Sequence, residues 1–125
     1  MGIKRDKYDV AFSRFIKLLS GGYCKRCHSY VGVNSRGLHA AHCFSRQRQS
    51  VRLYKKNSTA LCHGCHRYLD RAENRGKKME FFQSILTQSE WAELVRMSDM
   101  TSKDLKIDKE EIYKKLKEDI KLLEA

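Results

Sequence analysis

Apolar positions recur along the chain at two periods, and the changes of period mark its elements. From residue 6 to 20, Val10, Phe12, Phe15, Ile16 and Leu19 return at near-helical spacing. Gly21-Gly22 closes that segment, because glycine accepts the left-handed backbone that often ends a helix. Residues 38–43 read as a short strand, and Val51-Arg52-Leu53-Tyr54, alternating apolar and polar, as a second. Between them Asn34-Ser35-Arg36-Gly37 marks a turn and Arg46-Gln47-Arg48-Gln49 a basic loop, with a further turn at Lys55-Lys56-Asn57-Ser58. A helix is expected from near His66 to about Asn74. Beyond Gly76 the helical period dominates: Met79, Phe81, Phe82, Ile85 and Leu86 share a face. Thr87-Gln88-Ser89-Glu90 then spells a capping box ahead of Trp91, Leu94 and Val95. Residues 108–124 form the clearest amphipathic helix, with Ile112, Leu116, Ile120 and Leu123 in one stripe.

These elements predict an α+β chain. Its 125 residues suit one modest core, and with 33% of them charged, a metal staple would help to hold it. The organisation expected is a core with an N-terminal helix over 1–78 and a helical extension over 79–125, which packs on the core or mediates dimerisation. No run of about 18 apolar residues is present, so no membrane span is expected. Met1-Gly2-Ile3-Lys4-Arg5-Asp6 leads into a charged amphipathic segment rather than a signal peptide, which points to the cytosol. Cysteines stay reduced there, and an odd count of 5 argues against a complete disulfide framework.

The net charge of +11 is unevenly placed. Residues 1–78 hold 18 Lys/Arg against 4 Asp/Glu, and positions 10 to 69 hold no acid at all. An ordinary solvated surface mixes both signs, so a polyanion is the expected partner, and nucleic acid is the commonest one. A membrane surface would want a basic amphipathic helix, whereas here the basic residues crowd around the cysteines. An RNA-binding knuckle would want aromatic-rich strands for stacking. Arg48, Arg52, Lys55 and Lys56 are the group expected on the DNA backbone, with Arg46 nearer the chemistry.

Cys24-Lys25-Arg26-Cys27 and Cys62-His63-Gly64-Cys65 are two CxxC pairs separated by 34 residues. Each such turn aims two thiolates at one point, and two turns complete the tetrahedral sulfur shell that zinc favours in structural sites. Four protein ligands leave no open position, so this metal would be structural. His28, His63 or His66 replacing a cysteine is the lesser alternative, and a redox CxxC another. Cys43 is left over as a packed thiol. The zinc would draw the strand ending at His42, the turn holding Asn57 and the helix start at His66 around one cleft.

The order Cys-x-x-Cys, strand ending in His, Asn, Cys-x-x-Cys-His resembles an HNH, or ββα-metal, endonuclease of the zinc-braced kind. More narrowly, His39-Ala40-Ala41-His42-Cys43-Phe44-Ser45-Arg46 and Leu61-Cys62-His63-Gly64-Cys65-His66-Arg67-Tyr68-Leu69 resemble the phage NinG/Rap recombination nucleases. The resemblance covers roughly residues 10–75. It implies a small zinc-braced ββα-metal core with flanking N- and C-terminal helices, in a phage or bacterial host cytosol. It implies His42 as general base, Asn57 as the residue that locks the loop and orients it, and His66 as a ligand of a catalytic divalent metal, magnesium or manganese. The family's second ligand precedes the base, where this chain has Ala41. His39 or Asp70 is the expected substitute, since Asp70 shares a helix face with His66. The implied activity is metal-dependent hydrolysis of DNA phosphodiesters, on branched or recombining phage DNA. The alternative, favoured by Ala41, is a non-catalytic zinc-stabilised DNA-binding module on the same scaffold.

Overall fold

A computed structural model describes residues 5–125. Residues 1–4, part of the charged lead-in, lie outside the described residues. Helix α1 spans Lys7–Ser20 and starts where the sequence supplies a cap. The Asp6 carboxylate accepts the N–H groups of Tyr8 and Asp9, and the Asp9 carboxylate accepts the N–H of Asp6. This reciprocal pairing satisfies donors that no helical carbonyl reaches. Gly21, left-handed at φ 66°, ends the helix. Phe12, Phe15 and Ile16 face the core, while Val10 and Leu19 stay exposed.

The sheet is one antiparallel pair, β1 at Leu38–His42 and β2 at Ser58–Cys62, in register from Leu38 opposite Cys62 to His42 opposite Ser58. Strand alternation divides the side chains between two faces. Leu38, Ala40 and Ala60 meet Phe12, Phe15 and Ile16 of α1. Ala41 and Leu61 meet Cys65 and Leu69 of α2, which spans His63–Asp70. The pair of strands is therefore held between two helices.

Residues 51–54 are not a strand. The Val51 N–H bonds the Arg48 carbonyl and the Tyr54 N–H the Val51 carbonyl, both turn-type bonds across three residues. The alternation there has another cause. Val51 is buried against Phe82 and Leu94, and Arg52 is buried too, because Asp9 and Asp6 receive its guanidinium. A short 3₁₀ turn at Lys55–Asn57 leads into the true second strand. Helix α2 also starts earlier than expected, with the Cys62 sulfur accepting the N–H of Cys65 as its cap. It stops at Asp70, and a separate 3₁₀ turn covers Ala72–Asn74.

Helices α3 (Arg75–Ile85), α4 (Gln88–Ser98) and α5 (Lys109–Glu124) complete the chain. The Thr87–Glu90 capping box forms at the start of α4. Phe82 of α3 and Leu94 of α4 close over Val51 and Cys43. Leu116 of α5 joins Phe12, Phe15 and Ile16, with Ile112 and Ile120 beside it. Leu123 stands exposed instead of continuing that stripe. The C-terminal helices thus lie on the core through two separate apolar clusters. No helix among the described residues is long and apolar enough to cross a membrane.

Candidate metal centre and cleft

Cys24, Cys27, Cys62 and Cys65 bring their sulfurs within 4.8 Å of one another. Among the described residues they are the only group of three or more close enough to share an ion. The sulfurs of Cys27 and Cys62 are 3.8 Å apart. That matches the edge, about 3.8 Å, of a sulfur tetrahedron with zinc–sulfur bonds of about 2.3 Å. The Cys27 N–H points at the Cys24 sulfur at 3.5 Å and the Cys65 N–H at the Cys62 sulfur at 3.4 Å, while Arg26 donates to the Cys65 sulfur at 3.4 Å. Hydrogen bonds with Ser29, then with Cys24, bring the Cys27 thiol down to about 6, whereas burial pushes Cys65 up to about 12. Crowded sulfurs cannot all ionise without a cation between them, and a zinc ion would supply that charge. These four cysteines can hold a zinc ion with no histidine in the set. Cys43 lies apart, buried beside Met79, with its thiol raised to about 11 by burial.

On the α2 side of the sheet, His39 and His66 face each other with their Nδ1 atoms 2.8 Å apart. The opposite nitrogens fix the tautomers. His39 Nε2 lies 3.1 Å from the Arg36 carbonyl and His66 Nε2 3.1 Å from the Asp70 carboxylate, and both partners only accept. Each Nε2 therefore carries a hydrogen, and with both rings neutral two Nδ1 lone pairs converge. Such a contact calls for a proton or a cation between the nitrogens. Histidine that binds metal through one nitrogen and donates from the other to a carbonyl or carboxylate is the usual arrangement at metal sites. Because side chains alternate along a strand, His39 shares its face with Ala41, so it can offer a ligand where Ala41 offers none. Asp70 stands behind His66 rather than beside the converging nitrogens, and Lys78 holds its other oxygen at 2.9 Å.

His42 projects from the opposite face, against Phe12. Its Nε2 lies 3.3 Å from the Arg52 carbonyl, so the hydrogen sits on Nε2 and the Nδ1 lone pair is left over. Burial pushes its pKa down to about 4, which keeps the ring neutral near pH 7. His39, His42, His66 and Asp70 all border one cleft of about 680 Å³.

Asn57 was expected around that cleft, yet it is fully buried behind it. Its side chain accepts the Phe44 N–H at 2.8 Å and donates to the carbonyls of Phe44 at 3.0 Å and Val51 at 3.1 Å. The amide thus ties both ends of the 44–51 loop, immediately before the Arg52 carbonyl that receives His42.

The expected DNA contacts turn out to be largely engaged within the chain. Arg52 is 4% exposed and bound to Asp9 and Asp6, so it is a buried structural cation and not a surface contact. Arg46 meets Asp9 at 3.1 Å, Arg48 meets Asp99 at 3.6 Å, and Lys56 meets Glu90 at 2.7 Å. Lys55 is exposed. Sequence reasoning missed the buried Asp9 and the position of His63, whose ring centroid lies 5.3 Å from that of His39. His63 was legible as one helical turn before His66. Asp9 carried no local signal beyond its place in a capping box.

No protein-family model, curated protein or solved structure matches the chain.

Proposed function

We propose that the protein is a metal-dependent DNA endonuclease of the HNH, zinc-braced ββα-metal kind. His42 is its general base, and a divalent ion, magnesium or manganese, is held by His39 and His66. The observation that carries this reading is the paired tautomer geometry in one cleft. His42 keeps a neutral Nδ1 lone pair because Nε2 is committed to the Arg52 carbonyl, and two further Nδ1 atoms converge 2.8 Å apart nearby. A neutral imidazole takes the proton of a water attacking phosphorus. A bound divalent ion supplies stabilisation of charge on the phosphate and the leaving oxygen. Asn57 acts by fixing the loop that presents the Arg52 carbonyl. The four-cysteine zinc is structural, the acid-free stretch supports a DNA partner, and the resemblance to phage nucleases supports a phage or bacterial host cytosol. The second reading is a DNA-binding module without catalysis. Ala41 favours it, since the chain lacks a ligand at the position next to the base.

Supercoiled plasmid and a four-way junction, each incubated with Mg²⁺ or Mn²⁺, separate the two. Cleavage is expected from the parent, and His42→Ala is expected to slow it by about 10²- to 10⁴-fold. Tight binding with no cleavage in any metal would leave only the non-catalytic reading.

A further inference from the structure

Most cations expected on DNA have carboxylate partners inside the chain, yet other cations border the cleft. Arg5 precedes α1, Lys17 lies on its last turns, and Arg36 sits just before β1, all lining the space that also holds His39, His42 and His66. Among the described residues none of the three has a carboxylate within ion-pair distance. The two acids of the cleft are already engaged, Asp9 by Arg52 and Arg46, Asp70 by Lys78 and His66. The α1 side of the cleft therefore gathers positive charge without internal compensation. Burial first, then the charges of Arg5 and Arg14, lower the proton affinity of Lys17, as like charges in a partly dry place do. An anion entering the cleft would meet these cations and favour the charged form of the half-buried Lys17.

We propose that Arg5, Lys17 and Arg36 form a phosphate-binding wall that grips the DNA backbone beside the phosphodiester presented to His42. The proposal rests on the nuclease reading for the identity of the anion. It adds the path of the strand, which runs over α1 and the turn before β1.

Fluorescence anisotropy of a short labelled duplex, with the zinc-loaded full chain and no added Mg²⁺ or Mn²⁺, tests it. Lys17→Ala/Arg36→Ala is expected to weaken binding by about tenfold or more at moderate salt and to flatten the log K against log salt slope by about two. Arg48→Ala/Lys56→Ala should change binding by less than about threefold. The charge-preserving Lys17→Arg/Arg36→Lys should bind like the parent, which separates lost charge from a damaged fold. Parent-like binding by Lys17→Ala/Arg36→Ala overturns the wall, and continued plasmid cleavage would then leave the nuclease reading standing. Weakened binding alongside a parent that never cleaves sustains the wall and overturns the nuclease. A parent that does not bind DNA overturns both.

Discussion

Cys62→Ser protein is expected to lose its zinc and its cooperative thermal unfolding transition together. Cys62 ends β2, faces the Cys27 sulfur at 3.8 Å and caps α2 through the Cys65 N–H. Residues 25–30 of the first knuckle are all exposed, so burial contributes little to holding that segment. Apart from the sulfurs, the Lys25 N–H to the Ala60 carbonyl at 2.9 Å ties it to β2. Structural zinc contributes about 10–16 kcal/mol of binding free energy in small zinc modules. Whole domains are stable by about 5–15 kcal/mol, so losing the metal removes as much as the fold has to spare. Metal analysis together with circular dichroism melting checks this. A metal-free variant that melts like the parent would show that the cysteines are only packed thiols.

Asp9→Asn is the second change with a large expected effect, a loss of about 3–5 kcal/mol in urea unfolding. Asp9 is 5% exposed and receives Arg52, itself 4% exposed, so the substitution leaves a buried guanidinium short of charge. Asp6, the other partner at 3.0 Å, is partly exposed and limits the damage. Removing both charges, as in Asp9→Leu/Arg52→Met, should cost less than the single change, because nothing buried is left uncompensated. The sign of the acid response follows from the same pair. Burial pushes the Asp9 carboxyl up, but Arg52, the Asp6 amide and Arg46 outweigh it, and the net pKa is lowered. A lowered carboxylate adds stability above its unfolded pKa and loses it as pH falls through the folded value. The gap between parent and Asp9→Asn should therefore narrow below about pH 4. An unchanged urea midpoint for Asp9→Asn would sink the claim that this pair is a structural support.

What the sequence disclosed follows the range of the forces involved. Helices α1, α4 and α5 were legible because caps and apolar stripes are written within a few neighbouring residues. The cysteine cluster was legible because a CxxC turn fixes its own geometry. The second strand was misplaced for a non-local reason. Alternation at Val51–Tyr54 imitates a half-buried strand, but Arg52 is drawn inward by Asp9, a residue 43 positions away. The real strand, Ser58-Thr59-Ala60-Leu61-Cys62, has no such alternation and runs directly into the second cysteine pair. Spacing alone offers both His39 and Asp70 for the missing ligand, with Asp70 the more readily explained as a helix-surface acid. Their placement separates them, because Asp70 meets the outer nitrogen of His66 and His39 meets the inner one.

Cys62, Cys65 and His66 share one continuous stretch of backbone, and this sets how the chain tolerates changes of length. An α-helix turns about 100° per residue. One residue inserted between Cys65 and His66 would keep all four sulfurs and swing the histidine away from His39. The segment between the first knuckle and β1 holds none of the four cysteines, but its Arg36 and Gly37 carbonyls receive His39 and the His63 N–H, so a change of length is better tolerated before Arg36 than between Cys62 and His66.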